Sequence, residues 1–159
     1  MNPGFIIDGY NLMHKVPELA ELAGRDLEQA RDRLVAMLAR FKGRRQIRVV
    51  VVFDGDQASG GPARTRAGAM DVVFSRLPEK ADERIVRMAR SLANPKAWTV
   101  VSSDRKVRER AGACGVRTVG ADEFLRTATP ARARREDKPE MRTEDVAEWE
   151  EFFKKGRAD

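Results

Sequence analysis

The sequence holds one cysteine, one histidine and one tyrosine in 159 residues. Cys114 alone can close no intramolecular disulfide, and without further cysteines no cysteine-rich zinc site can be built. A reducing, cytoplasmic setting is therefore expected. Long hydrophobic runs are also missing. The purely apolar runs, such as Leu34 to Ala39 and Val49 to Phe53, are far short of the roughly 20 residues that cross a bilayer, and Met1 to Phe5 has no basic stretch leading into an apolar one. Neither a membrane span nor a signal peptide is expected. With 42% hydrophobic and 35% charged residues, the composition excludes a disordered chain and a collagen-like repeat. The length suits one domain that buries roughly 70% of its unfolded surface.

What the sequence does have is basic charge. Lys and Arg number 31 against 25 Asp and Glu, a formal net charge of +6. This favours a polyanionic partner such as nucleic acid, although soluble proteins without such a partner can share the balance.

Apolar runs alternate with helical patterns. Phe5-Ile6-Ile7-Asp8 is a short run stopping at an acid, followed by Gly9-Tyr10-Asn11, and it reads as a buried strand ending in a polar loop. Ile47 to Phe53 is a second strand, closed by Asp54-Gly55; its unbroken valines predict a strand covered on both faces. Ala97 to Val101 is a third, ending at Ser102-Ser103-Asp104, and Val116 to Val119 a fourth. Met70 to Ser75 adds a weaker edge strand. Between them, Asp26 to Phe41 places Leu27, Ala30, Leu34, Met37, Leu38 and Phe41 on one helical stripe, with Gly43 as a stop. Ala81 to Ala93 and Asp104 to Ala113 are further helices. Strands alternating with helices predict a three-layer α/β fold with a mostly parallel central sheet. Gly55 to Ala69, carrying Arg64 and Arg66, and Ala128 to Pro139, carrying Arg132, Arg134 and Arg135, read as mobile basic loops. Thr143 to Lys155 reads as a closing helix with Val146, Trp149, Phe152 and Phe153 on its apolar face.

In a parallel sheet the residues just past the strand ends gather along one rim. Asp8, Asp54 and Asp104 each stand at such a position. Asp82 opens a helix that starts over the same rim, three residues before Ile85 and thus on the inward stripe, whereas Glu83 is turned about 100° away. Carboxylates crowded together raise one another's pKa values or call for a cation. An all-oxygen set with no His or Cys suits Mg²⁺ or Mn²⁺ rather than zinc, and such an ion can activate water and stabilise a phosphorane. The chemistry expected is metal-dependent phosphodiester hydrolysis.

The segments IIDGYNLMH, VVVVFDG, ADERIVRMA and VVSSDRKVRERA, in this order and spacing, resemble the YacP-like NYN domains, which belong with the PIN-like nucleases. The resemblance covers Phe5 to about Leu125, and the pair IIDGYN and SSDR is its most specific part. It implies a metal-dependent endoribonuclease on a sheet of order 3-2-1-4-5, with relatives that include a ribosome-associated enzyme cutting messenger RNA. It implies an Mg²⁺ or Mn²⁺ site of Asp8, Asp82 and Asp104, with Asp54 as a further candidate ligand and Asn11 as a catalytic residue. Ser102 and Ser103 fall where the family uses a small hydroxyl residue to hold the phosphate or orient the following Asp. The division that follows is a nuclease domain over 1–127, a basic flexible segment over 128–139, and a C-terminal helix over 140–159 packed on the same domain.

Plainer readings stand beside these. Asp8 and Asp54 can be turn residues before glycine, and Asp82 a first-turn acid favoured by the helix dipole. His14 stands a turn away from the acids and is left out of the site; Cys114 reads as a packed thiol, Trp98 and Trp149 as core. The run Arg105 to Arg110 is a solvated helix face by default, but Arg105 and Lys106 adjoin Asp104 and are candidates, with Arg64 and Arg66, for phosphate contact. A rival function is a non-catalytic RNA-binding or ribosome-docking module. A receiver-like phosphoryl acceptor ranks third, since no Lys follows Val116 to Val119.

Overall fold

The structure, a computed structural model, describes residues 3–55, 64–67, 70–76 and 78–128; of residues 64–67 only the backbone is described. Among the described residues six strands form one sheet: β1 (Gly4–Asp8), β2 (Arg48–Asp54), β3 (Arg64–Ala67), β4 (Met70–Ser75), β5 (Trp98–Val101) and β6 (Arg117–Val119). Their order is β3-β4-β2-β1-β5-β6. All neighbouring pairs are parallel except β3 with β4. Counting parallel strands alone, the order is 3-2-1-4-5, as the resemblance implies.

Six α-helices cover the sheet among the described residues: α1 (Gly9–Met13), α2 (Pro17–Arg25), α3 (Leu27–Lys42), α4 (Ala81–Arg90), α5 (Arg105–Gly112) and α6 (Ala121–Ala128). The period-2 alternation of the strands divides the core in two. Ile7, Val49, Val51, Phe53, Met70 and Val72 face α1, α2, α3 and α6. Ile6, Val50, Val52, Val73 and Val100 face α4 and α5. This two-sided burial is why β2 reads as an unbroken valine run. On the first face Phe5, Phe41 and Phe124 meet edge to face, with centroids 5.1 to 5.8 Å apart. On the second, Trp98 lies in the core as expected.

Asp26 ends α2 and caps α3, its Oδ1 accepting from the Gln29 amide at 3.1 Å; Gly43 stops α3 with φ at 47°, a conformation that favours glycine.

The expected loop from Gly55 to Ala69 is corrected at Arg64–Ala67, which pairs with β4 as an antiparallel strand. For the same reason β4 is not an edge strand: it lies between β3 and β2, with Met70, Val72 and Val73 buried. Gly9-Tyr10-Asn11 is not a loop but the first turn of α1, a helix too short to show periodicity. The basic segment over 129–139, with Arg132, Arg134 and Arg135, and the closing helix with Val146, Trp149, Phe152 and Phe153 lie outside the described residues.

Candidate active site

Strand register lines up the acids. Asp8 is paired with Val52 on β2, and Asp54, two residues further on, is paired with Ser75 of β4. On the other side Ile7 pairs with Val101, so Asp8 stands beside Ser102. Asp8, Asp54, Ser75 and Ser102 share the parity of Ile6, Val52, Val73 and Val100, which face α4 and α5. They therefore stand on the side of the sheet where these two helices begin.

Hydrogen bonds tie the segment after β5 to β1 and α1. The Ser102 hydroxyl, wholly buried, donates to Asp8 Oδ2 at 3.0 Å, and its oxygen accepts from the Asp104 amide at 3.0 Å. The Ser103 amide donates to Asn11 Oδ1 at 2.7 Å, and Ser103 Oγ accepts from the Ala121 amide at 3.0 Å. Asp104 caps α5, its Oδ1 accepting from the Lys106 amide at 2.9 Å. Asp8, Asn11, Ser102, Ser103 and Asp104 thus form one connected network.

Asp54 is placed differently. Its Oδ1 accepts from the Ala81 amide at 2.6 Å, so the first turn of α4 is capped from β2 rather than by its own N-cap residue, Lys80, which has no side-chain bond there. This bond fixes the turn that carries Asp82, which is half-buried while Glu83 is exposed, as the inward stripe predicts. Gly9 keeps α1 close to β2: a Cβ there would run into the Phe53 ring and stand 3.0 Å from the Val52 carbonyl.

The Asp8 carboxyl is raised from 3.8 to about 6 on balance: burial pushes it up most, the Ser102 hydroxyl and the Asn11 backbone amide pull it down, and the charges of Asp54 and Asp104 push it up. Asp54 and Asp104 are therefore each within electrostatic reach of Asp8. The two charges that act on Asp8 do not include Asp82, and no three His, Cys, Asp or Glu side chains among the described residues stand as a ready-made metal cage. The donor chemistry still fits a hard divalent cation. All the groups are oxygens, like charge surrounds a half-buried carboxylate, and Mg²⁺ commonly keeps several waters while taking one or two protein carboxylates.

Of the expected RNA contacts, Arg105 Nε donates to Glu109 Oε1 at 2.9 Å in an exposed pair one helical turn long, and Lys106 is exposed. Arg64 and Arg66 lie on β3, with side chains outside the described residues. His14 is exposed, and Cys114 is half-buried with Sγ 3.6 Å from the Arg110 carbonyl.

Sequence reasoning missed Ser75 and Arg31. Ser75 is buried at the end of β4, and its Oγ accepts from the Gly55 amide at 3.4 Å. Its signal was its place at the end of an apolar run. Arg31 Nη1 donates to the Tyr10 hydroxyl at 2.9 Å and its guanidinium lies 5.5 Å from the centroid of Phe74. Nothing in the charge pattern of α3 distinguishes it.

The family model described as YacP-like NYN domain matches residues 5–155. The uncharacterized protein YacP of Bacillus subtilis (strain 168) is 35% identical over 89 residues, 56% of this chain and 52% of that protein; the alignment thus spans about half the length of this curated relative. Two crystal structures of Rae1 (YacP) from Bacillus subtilis are similar throughout. One superposes with a TM-score of 0.69 at 29% identity, covering 98% of this chain and 92% of that one. The other, a W164L mutant, gives 0.67 at 28% identity, covering 98% and 96%.

Proposed function

Because the chain belongs to the YacP-like NYN domain family, a nuclease-type family, we propose that it is a metal-dependent endoribonuclease, acting on messenger RNA that the ribosome presents. The observation that carries this reading is the half-buried Asp8, held by Ser102 and facing the charges of Asp54 and Asp104 on the rim of the parallel sheet.

In this reading Asp8, Asp82 and Asp104 hold Mg²⁺ or Mn²⁺, with Asp54 as a further ligand. When bound, the ion supplies Lewis acidity towards the phosphoryl oxygens and lowers the pKa of water. The chain's own residues set the geometry. Ser102 orients Asp8 through its hydroxyl and holds the backbone at Asp104 through its oxygen. Asn11 fixes the Ser103 backbone and so the turn that meets the phosphate. Asp54 anchors the turn that carries Asp82. Lys106, Arg105, Arg64 and Arg66 neutralise RNA phosphates without reading bases. The products expected are 5′-phosphate and 3′-hydroxyl ends.

The absence of a ready-made three-residue cage among the described residues favours, as a second reading, an RNA-binding or ribosome-docking module without catalysis. Incubating labelled RNA with the protein in Mg²⁺, in Mn²⁺ and in EDTA separates the two. Cleavage that EDTA stops supports the nuclease. Binding with no cleavage under any of the three conditions supports the module.

A further inference from the structure

Arg108 lies four residues beyond Asp104, one turn along α5, and is half-buried. Its Nε is shielded from solvent and has no hydrogen-bond partner among the described residues. A buried N–H donor left without an acceptor costs free energy. Arg84, whose Nε is also buried, differs in having the Glu79 carboxylate 3.9 Å from its Nη1.

Another nitrogen of the same guanidinium, Nη1, stands near Gly120 and Ser103. A Cβ built on Gly120 would stand 4.0 Å from Arg108 Nη1 and 3.8 Å from Ser103 Oγ. Glycine at 120 thus puts no side chain between this cation and this hydroxyl. Ser103 Oγ already accepts from the Ala121 amide, which leaves the hydroxyl proton to be given to an acceptor. Ser103 is also bonded through its amide to Asn11, so the spot adjoins the Asp8 network directly.

We propose that Arg108, Ser103 and Gly120 form a niche for the non-bridging oxygens of an internal RNA phosphate next to the one that is cut. Arg108 supplies the planar donor fork suited to phosphate, Ser103 a further donor, and Gly120 the room. This rests on the reading of the rim as an RNA-cleaving site, and it assigns Arg108 as a substrate-binding residue rather than part of a solvated helix face.

The test is RNA affinity, followed by fluorescence anisotropy of labelled single-stranded RNA in EDTA over a series of salt concentrations. The variants are Arg108→Ala, Gly120→Ala and, as a control of equal charge loss on the same helix, the exposed Arg110→Ala. Arg108→Ala is expected to weaken binding roughly tenfold or more and to reduce the salt slope by about one. Gly120→Ala keeps every charge, and its new methyl makes only ordinary contacts; it is expected to weaken binding severalfold by filling the niche. Arg110→Ala is expected to have the smallest effect. Equal losses for Arg108→Ala and Arg110→Ala, or wild-type binding by both Arg108→Ala and Gly120→Ala, overturn the niche. The same loss on 5′-hydroxyl and 5′-phosphorylated RNA supports an internal phosphate; a loss confined to the phosphorylated end overturns that assignment. The nuclease reading fails separately, if the wild-type protein binds RNA and never cuts it in Mg²⁺ or Mn²⁺.

Discussion

The Ser102 hydroxyl donates to Asp8 Oδ2 at 3.0 Å, joining residues 94 positions apart at the ends of two neighbouring parallel strands. The same oxygen accepts from the Asp104 amide at 3.0 Å. One small side chain therefore sets the positions of two acids that the sequence places far apart.

Ser102→Ala removes the donor that holds the Asp8 carboxyl down and leaves that carboxylate with one bond fewer. The expected stability loss is about 1–3 kcal/mol, read from urea unfolding. The acidic limb of the pH profile of cleavage is expected to move to higher pH, because the Ser102 bond lowers the Asp8 pKa. A profile superposable on that of wild type contradicts this role.

Asp8→Asn has a sign that can be worked out in advance. Burial and like charge raise the folded-state pKa to about 6, above the ordinary 3.8, so the folded protein binds the Asp8 proton more tightly than the unfolded chain does. The resulting stabilisation is present in full below the ordinary value and is lost as pH rises through about 6. In EDTA at pH 8 Asp8→Asn is therefore expected to be more stable than wild type, by up to about 3 kcal/mol, and the difference should shrink as pH falls towards 4. The same variant is expected to lose cleavage while binding RNA at least as tightly. Urea unfolding from pH 4 to 8 checks the first expectation and anisotropy the second.

Asp54 has two roles that substitution can separate. Asp54→Asn keeps an oxygen to accept from the Ala81 amide and removes the charge, whereas Asp54→Ala removes both. The alanine variant is expected to be about 1 kcal/mol less stable, as for a lost helix cap, and the asparagine variant close to wild type in stability. Both are expected to cleave more slowly. Full activity in Asp54→Asn would reduce Asp54 to the cap of α4.

Gly9→Ala should destabilise the fold by about 1–3 kcal/mol, as overpacking does in a tight core. The new methyl would meet Phe53, which is held by Tyr10 at 5.0 Å and Phe74 at 5.6 Å between ring centroids. Thermal unfolding with a midpoint equal to that of wild type would show that the ring gives way.

The apolar runs ending in Asp8 and Asp54, and the run ending before Ser102, were legible because buried parallel strands leave no polar alternation. The apolar stripe of α3 was legible over its 16 residues. The five-residue α1 is too short for a periodic signal, and its Gly-Tyr-Asn start reads as a turn. The strand Arg64–Ala67 has no apolar alternation, and its conformation follows from pairing with β4, a long-range fact. At the site, acids at strand ends could be seen from pattern alone. The capping of α4 by Asp54 across 27 residues, and the approach of Arg108 Nη1 and Ser103 Oγ to Gly120, depend on tertiary placement that no local pattern carries.

Anomalous diffraction from crystals soaked in Mn²⁺ bears most directly on the claim that these acids jointly bind a divalent cation. The expected result is a peak at the strand-end rim in contact with Asp8 and at least one of Asp54, Asp82 and Asp104. A rim without a peak at saturating Mn²⁺, or a peak bound only elsewhere, contradicts it.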